Sequence, residues 1–341
     1  MREIGGYLEL ERYRGRMLHD DLIPLNCGRN CLAYLAELRG IRKIWLPDFL
    51  CSSVGDVCDR EGVESAFYAI GADLKPVYGF EFGDEDWLYL VDYYGTLAEG
   101  DVERALDLFD GRVIVDEAQG YFREPWERTD TLYTCRKFFG VADGAFLGTK
   151  DGETLGRDLP RDESHARMGF VLGRAERPAS EFYAESKANN ARFASEPVKR
   201  MSLITESLLA GVDYGFVKAR RERNWKVLDG ALGGANLLWR HVDRRVPAGP
   251  YMYPLLVNYP GEIREKMASA GVFIPMLWPN MHIPTVSESS AALYAKCILP
   301  LPVDQRYGTD DMLHLADMLV RVAGGSERQL GDGGKGRGGV V

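Results

Sequence analysis

An aspartate that closes a short apolar run and a lysine twenty-one residues beyond it are the side chains of this sequence best suited to covalent chemistry. Asp116 ends Val113-Ile-Val-Asp116, Lys137 ends Tyr133-Thr-Cys-Arg-Lys137, and Thr134 stands three positions before the lysine. An amine can form an imine with a carbonyl compound, a carboxylate can keep a pyridine nitrogen protonated so that its ring withdraws electrons, and a hydroxyl can hold a phosphate. Pyridoxal 5′-phosphate (PLP) makes those three demands at once. Read singly, Asp116 is better explained as a helix cap and Lys137 as a solvated surface lysine. The apolar residues before Asp116 and the Phe138-Phe139 pair after Lys137 argue against that reading for the two together.

A phosphate also needs backbone donors. Asn26-Cys-Gly-Arg-Asn30 opens a segment in which Cys31, Leu32, Leu35 and Leu38 recur at helical spacing. The first turn of a helix presents unpaired N–H groups and the positive end of the dipole, so Gly28, Arg29 and Asn30 form the candidate phosphate cradle. The segment matches neither the dinucleotide-binding G-x-G-x-x-G nor the G-x-x-x-x-G-K-[ST] phosphate loop.

The elements that must position these residues follow from the pattern around them. Short β-branched or aromatic runs at Lys43 to Leu46, Ala66 to Ile70, Trp87 to Asp92, Arg112 to Asp116, Thr131 to Thr134 and Ala145 to Leu147 alternate with helix-like segments at Ser53 to Arg60 and Val102 to Phe109. That alternation predicts an α/β fold, a mostly parallel sheet flanked by helices. Residues 1–178 are expected to form the large cofactor-binding domain and residues 179–240 a helical connection. Residues 241–323 read as a small α+β domain with strands at Tyr253 to Val257, Val272 to Met276 and Cys297 to Leu299, and helices near Glu262 to Ala270 and Asp310 to Val322. The tail, 324–341, is Gly-rich with few apolar residues and is expected to be disordered.

Bulk composition bounds the partners. The chain has 341 residues, 45% of them hydrophobic, with a formal charge of −9 and a pI near 5.3. An acidic balance disfavours nucleic acid and anionic membranes, which select a basic surface. Without an apolar stretch long enough to span a bilayer or a signal-like start, the expected location is the cytoplasm. Six dispersed cysteines and five dispersed histidines show no metal-site spacing, so free thiols and no metal are expected.

The chain resembles the DegT/DnrJ/StrS sugar aminotransferases, PLP enzymes of fold type I with the aspartate-aminotransferase fold. The likeness lies in Leu25-Asn-Cys-Gly-Arg-Asn30, Ile44-Trp-Leu-Pro-Asp-Phe-Leu-Cys51, Asp92-Tyr-Tyr-Gly95, Asp116-Glu-Ala-Gln119, Thr134-Cys-Arg-Lys137 with Asp143-Gly144, and Leu299-Pro-Leu-Pro-Val-Asp-Gln-Arg-Tyr307. It implies ping-pong transfer of an amino group from glutamate or glutamine to a keto-sugar, nucleotide-linked and of the kind used in cell-surface polysaccharides, with pyridoxamine 5′-phosphate (PMP) as the intermediate form of the cofactor. Lys137 is then the Schiff-base lysine and proton shuttle, Asp116 the partner of the pyridine nitrogen, and Gln119 the neighbour of the ring hydroxyl. Thr134 matches the family's phosphate-binding serine, and Gly28, Arg29 and Asn30 its cradling turn. Where the family stacks an aromatic ring on the pyridine, this chain has Cys51, so Phe49 or Tyr93 is expected to serve. The resemblance also implies a homodimer with shared sites, a partner residue near Asn189, Asn190 or Ser202 completing each.

Other features read as structural. The six tryptophans are packing residues, Trp278 being the one to watch, and Arg220-Arg-Glu-Arg223 is a solvated helix face. Arg306 either binds an anion or pairs with Asp304. Two other functions stay open: a PLP lyase or dehydratase on the same fold, and a catalytically silent binding or regulatory protein. A histidine in place of the lysine would mark the dehydratase variation, and Lys137 argues against it.

Overall fold

The structure, a computed structural model, describes residues 4–279, 281 and 289–324. The expected tail lies, beyond Gly324, outside the described residues, as does His282.

Strand β1 (Ile23–Leu25) leads into helix α1 (Gly28–Arg39), which ends at Gly40 in the left-handed conformation, φ 64°. Then come β2 (Lys43–Pro47), α2 (Ser52–Glu61), β3 (Glu64–Tyr68), β4 (Trp87–Val91), α3 (Glu99–Leu108), β5 (Val113–Asp116), β6 (Asp130–Thr134) and β7 (Ala145–Gly148). These strands make one seven-stranded sheet in the order β1-β7-β6-β5-β4-β2-β3. The pairs from β3 through β2, β4 and β5 to β6 are parallel, and β7 runs antiparallel to both β6 and β1. Val113, Ile114 and Val115 have no exposed surface, as a strand covered on both faces requires, and each such side chain stabilises the sheet by about 1.5–3 kcal/mol.

Register places the chemistry. Val91 pairs with Asp116 and Asp116 with Leu132, so β4 and β5 finish together while β6 runs on to Thr134, and the aspartate stands at the carboxyl edge, where open α/β sheets bind ligands.

A helical stretch follows: α4 (Gly169–Glu176), α5 (Tyr183–Arg192), α6 (Leu203–Ala210) and α7 (Tyr214–Leu232). The last part holds β8 (Met252–Leu256), α8 (Pro260–Ser269), α9 (Ala291–Cys297), β9 (Ile298–Pro302) and α10 (Thr309–Val322). Strands β8 and β9 pair antiparallel, and a second core gathers Tyr253, Leu255, Leu299 and Leu301 from them with Trp225 and Leu228 of α7 and Leu315 and Leu319 of α10. A third, aromatic cluster, with Tyr121, Tyr133, Phe138 and Phe146, lies beside the lysine segment. Among the described residues no helix is long and apolar enough to cross a membrane.

Two expectations are corrected here. Val272 to Met276 is not a strand: Ile274 is its one buried side chain, Phe273 is 74% exposed, and β8 and β9 pair with each other alone. Nor is Arg220 to Arg223 a uniformly solvated face, because Arg221 is 1% exposed.

Candidate active site

Asp116 leaves the sheet edge into a tight turn, and its own backbone neighbour fixes it: Oδ1 accepts from the Ala118 N–H at 2.7 Å, while Oδ2 accepts from the Tyr89 hydroxyl of the adjacent strand at 2.9 Å. Burial pushes its pKa up, opposed by the Lys137 charge and those two donors. Lys137 comes from the turn after β6 and is half-buried. Its pKa is lowered by burial and, more weakly, by Arg136, with Asp116 and Cys51 acting to raise it. An amine shifted this way is neutral over a wider pH range and so a readier nucleophile. The Lys137 Nζ also lies 5.4 Å from the centre of the Tyr251 ring, a contact between residues 114 positions apart that no local pattern announces.

Gln119 is almost fully buried in the same turn. Its Oε1 accepts from the Tyr94 N–H at 2.9 Å, where the chain takes a left-handed step at φ 56°, and its Nε2 has no partner among the described residues. A buried amide group with unused N–H donors costs free energy unless something else accepts from it. Beneath the turn, Asp92 and Glu117 form a buried acid pair, both with raised pKa from burial, with Arg123 at 3.8 and 3.9 Å.

Across the edge, the first turn of α1 faces Thr134. A Cβ built on Gly28 would lie 3.8 Å from the Thr134 Cβ. Cys27 provides no side-chain cap, and the first bonded amides of the turn are those of Asn30 and Cys31, both on the Cys27 carbonyl. The N–H groups of Gly28 and Arg29 are therefore the available donors. The Asn30 side-chain amide instead ties the turn to the segment between α5 and α6, donating to the Glu196 and Pro197 carbonyls at 3.2 and 2.8 Å. Arg29 donates to the Asn190 carbonyl and to its Oδ1, both at 3.2 Å.

The two rings expected to stack on the pyridine lie inside the core. Phe49 has no exposed surface; its ring lies against Tyr93 at 5.2 Å, Trp278 at 4.7 Å and Tyr294 at 6.2 Å, and Tyr93 is equally enclosed. Cys51, half-buried, is near enough to Lys137 to act on its charge.

The remaining expected residues hold the frame within this one chain. Asn189 Nδ2 donates to the Ala142 carbonyl at 2.8 Å, and Ser202 donates its N–H and hydroxyl to Asp143, each at 2.7 Å, while capping α6. Arg306 pairs with Asp304 at 2.7 Å. Arg221 was missed: from α7 it donates to the Phe138 carbonyl at 3.2 Å, the Pro250 carbonyl at 3.0 Å and Gln305 Oε1 at 2.9 Å. It thus fastens the residue after Lys137 to the segment that carries Tyr251.

A sugar aminotransferase from Micromonospora echinospora superimposes with a TM-score of 0.62 at 15% identity, covering 88% of this chain and 87% of its own. A DegT/DnrJ/EryC1/StrS aminotransferase from Brucella abortus gives 0.56 at 14% identity over 89% and 86%. The chain has the sugar-aminotransferase fold. A Bacillus subtilis protein of this fold, solved with bound PMP, gives 0.64 at 11% identity over 88% of this chain and 73% of its own. No protein-family model matches the sequence, and no curated protein does. The sugar-aminotransferase fold is thus conveyed by architecture at identities where sequence alone carries little.

Proposed function

We propose that this protein is a PLP-dependent aminotransferase that moves an amino group from glutamate or glutamine to a keto-sugar, which we take to be nucleotide-linked. The observation that carries the reading is the half-buried Lys137, with its lowered pKa, under the influence of Asp116 at the carboxyl edge of the sheet. The residues present fit the cofactor. Asp116 suits a pyridine nitrogen, the unpartnered Gln119 Nε2 suits the ring oxygen, and the Gly28 turn with Thr134 suits the phosphate. When bound, PLP supplies an electron sink for the carbon that carries the amino group.

The chain's own residues have defined tasks. Asp116, as the carboxylate, would hold a proton on the pyridine nitrogen of the bound cofactor. Lys137 would hold the cofactor through Nζ, and its free amine would be placed to move a proton at the reacting carbon. Tyr251 limits the directions in which that amine can swing. Support for the amine chemistry lies in these side chains; support for a sugar acceptor lies in the likeness of fold. Homodimer formation belongs to the same proposal.

The test is a half-reaction. Protein loaded with PLP should be yellow, bleach on adding glutamate with release of 2-oxoglutarate, and regain colour with a keto-sugar nucleotide. Release of ammonia without an acceptor would favour a lyase, and a chain that stays colourless with PLP would sink the proposal.

A further inference from the structure

The guanidinium of Arg136 has no task in that chemistry. Arg29, in the first turn of α1, and Arg136, beside Lys137, both donate to the same Asn190 Oδ1, at 3.2 and 3.0 Å. Two guanidinium groups are thereby held on a single neutral oxygen. Neither has an ion-pair partner among the described residues, and the acid that acts on Arg136, Asp143, already accepts from Ser202 and Thr205. The Arg136 Nε is buried without a hydrogen bond among the described residues, while its Cζ lies 4.5 Å from the centre of the Phe193 ring. A third guanidinium, Arg167, lies 5.5 Å from that ring and bears an opposing carboxylate, Asp162. Like charges converge here without a matching anion, which is costly unless a ligand supplies one.

We propose that Arg136 is the charged anchor of the anion subsite at the α1 turn, taking the cofactor's phosphate together with Arg29. This rests on the PLP reading. The donor set suits a tetrahedral dianion with three acceptor oxygens: two planar forks, the free N–H groups of Gly28 and Arg29, and the Thr134 hydroxyl. It also explains why the arginine directly precedes the lysine. One turn then fixes both ends of the cofactor's attachment, and Asn190 orients the two guanidinium groups.

The experiment titrates cofactor-free protein with PLP and, separately, with pyridoxal, which lacks the phosphate, following visible absorbance for wild type, Arg136→Gln and Arg136→Lys. Thermal midpoints are measured in parallel with inorganic phosphate and with UDP, and circular dichroism checks the variants' folding. Arg136→Gln should weaken PLP binding roughly 10- to 100-fold, the worth of one charged hydrogen-bonding group, and change pyridoxal binding less than about twofold. Arg136→Lys should recover part of the loss, and the stabilisation by phosphate should vanish in Arg136→Gln. Equal losses for PLP and pyridoxal, or no loss for PLP, would overturn the assignment. A PLP preference that survives Arg136→Gln while stabilisation by UDP is lost would move the subsite to a substrate phosphate and overturn it as well. If wild type binds no PLP, the catalytic reading fails by itself; a phosphate stabilisation that depends on Arg136 then upholds the anion subsite, and its absence in wild type refutes it.

Discussion

Burial lowers the Lys137 pKa below its ordinary value of 10.5 while the charge of Asp116 raises it, and that opposition can be measured. Replacing Asp116 by asparagine keeps the shape and the acceptor for the Ala118 N–H but removes the negative charge. With that support gone, the Lys137 pKa should fall further, so the pH at which the amine of cofactor-free protein is half-modified by an acylating reagent should move down. An unchanged or raised midpoint would mean that the two side chains do not face each other. The same variant should lose turnover by orders of magnitude while retaining some PLP, because it weakens the hold on the pyridine proton and leaves the phosphate contacts intact. Asp116 and Lys137 were legible in the sequence because an apolar strand must precede the one and an aromatic pair follows the other. Arg221 was not: it sits in a run of charges, and only the packing of α7 against the lysine turn makes it a buried residue.

Helix α1 carries the cradle, and its glycine gives a test at the scale of the element. An ideal Cβ on Gly28 meets Thr134 and Leu132 at 3.8 and 3.9 Å, ordinary contact distances, so Gly28→Ala should fold normally. The methyl would nonetheless occupy the space between the turn and Thr134 where the phosphate is proposed to sit. We expect PLP affinity to fall roughly tenfold or more with the thermal midpoint unchanged, since close backbone approach is what glycine permits. Retained affinity would place the phosphate elsewhere. The strands were readable where apolar residues run unbroken, as at Val113–Val115, and less so at the edges. Strand β1 is three residues with a central proline, below the length at which a pattern exists. The Val272 to Met276 run has the composition of a strand but carries Pro275, which lacks the N–H for a central ladder.

On the scale of the whole molecule, the site lies where the large sheet's carboxyl edge meets the segment after α7, and Arg221 is the clasp between them. Burial pushes its pKa down to about 10, yet its partners are all neutral oxygens, so the guanidinium is held by hydrogen bonds and by the Phe138 ring at 4.6 Å. Arg221→Met, close in volume, leaves buried acceptors without donors and should cost about 3 kcal/mol in chemical denaturation. It should also weaken PLP binding, because the turn after Lys137 and the Tyr251 segment lose their common anchor; an unchanged stability would show that the clasp is dispensable. Alternation of strands and helices made the α/β class legible early, whereas this junction joins residues more than eighty positions apart and has no local signal. The most direct measurement of the central claim is borohydride reduction of the PLP-loaded protein followed by peptide mapping, with Lys137→Ala as control. The account predicts a stable label on Lys137 in the wild type and neither label nor turnover in the variant. A label on another lysine, or full activity in Lys137→Ala, would contradict it.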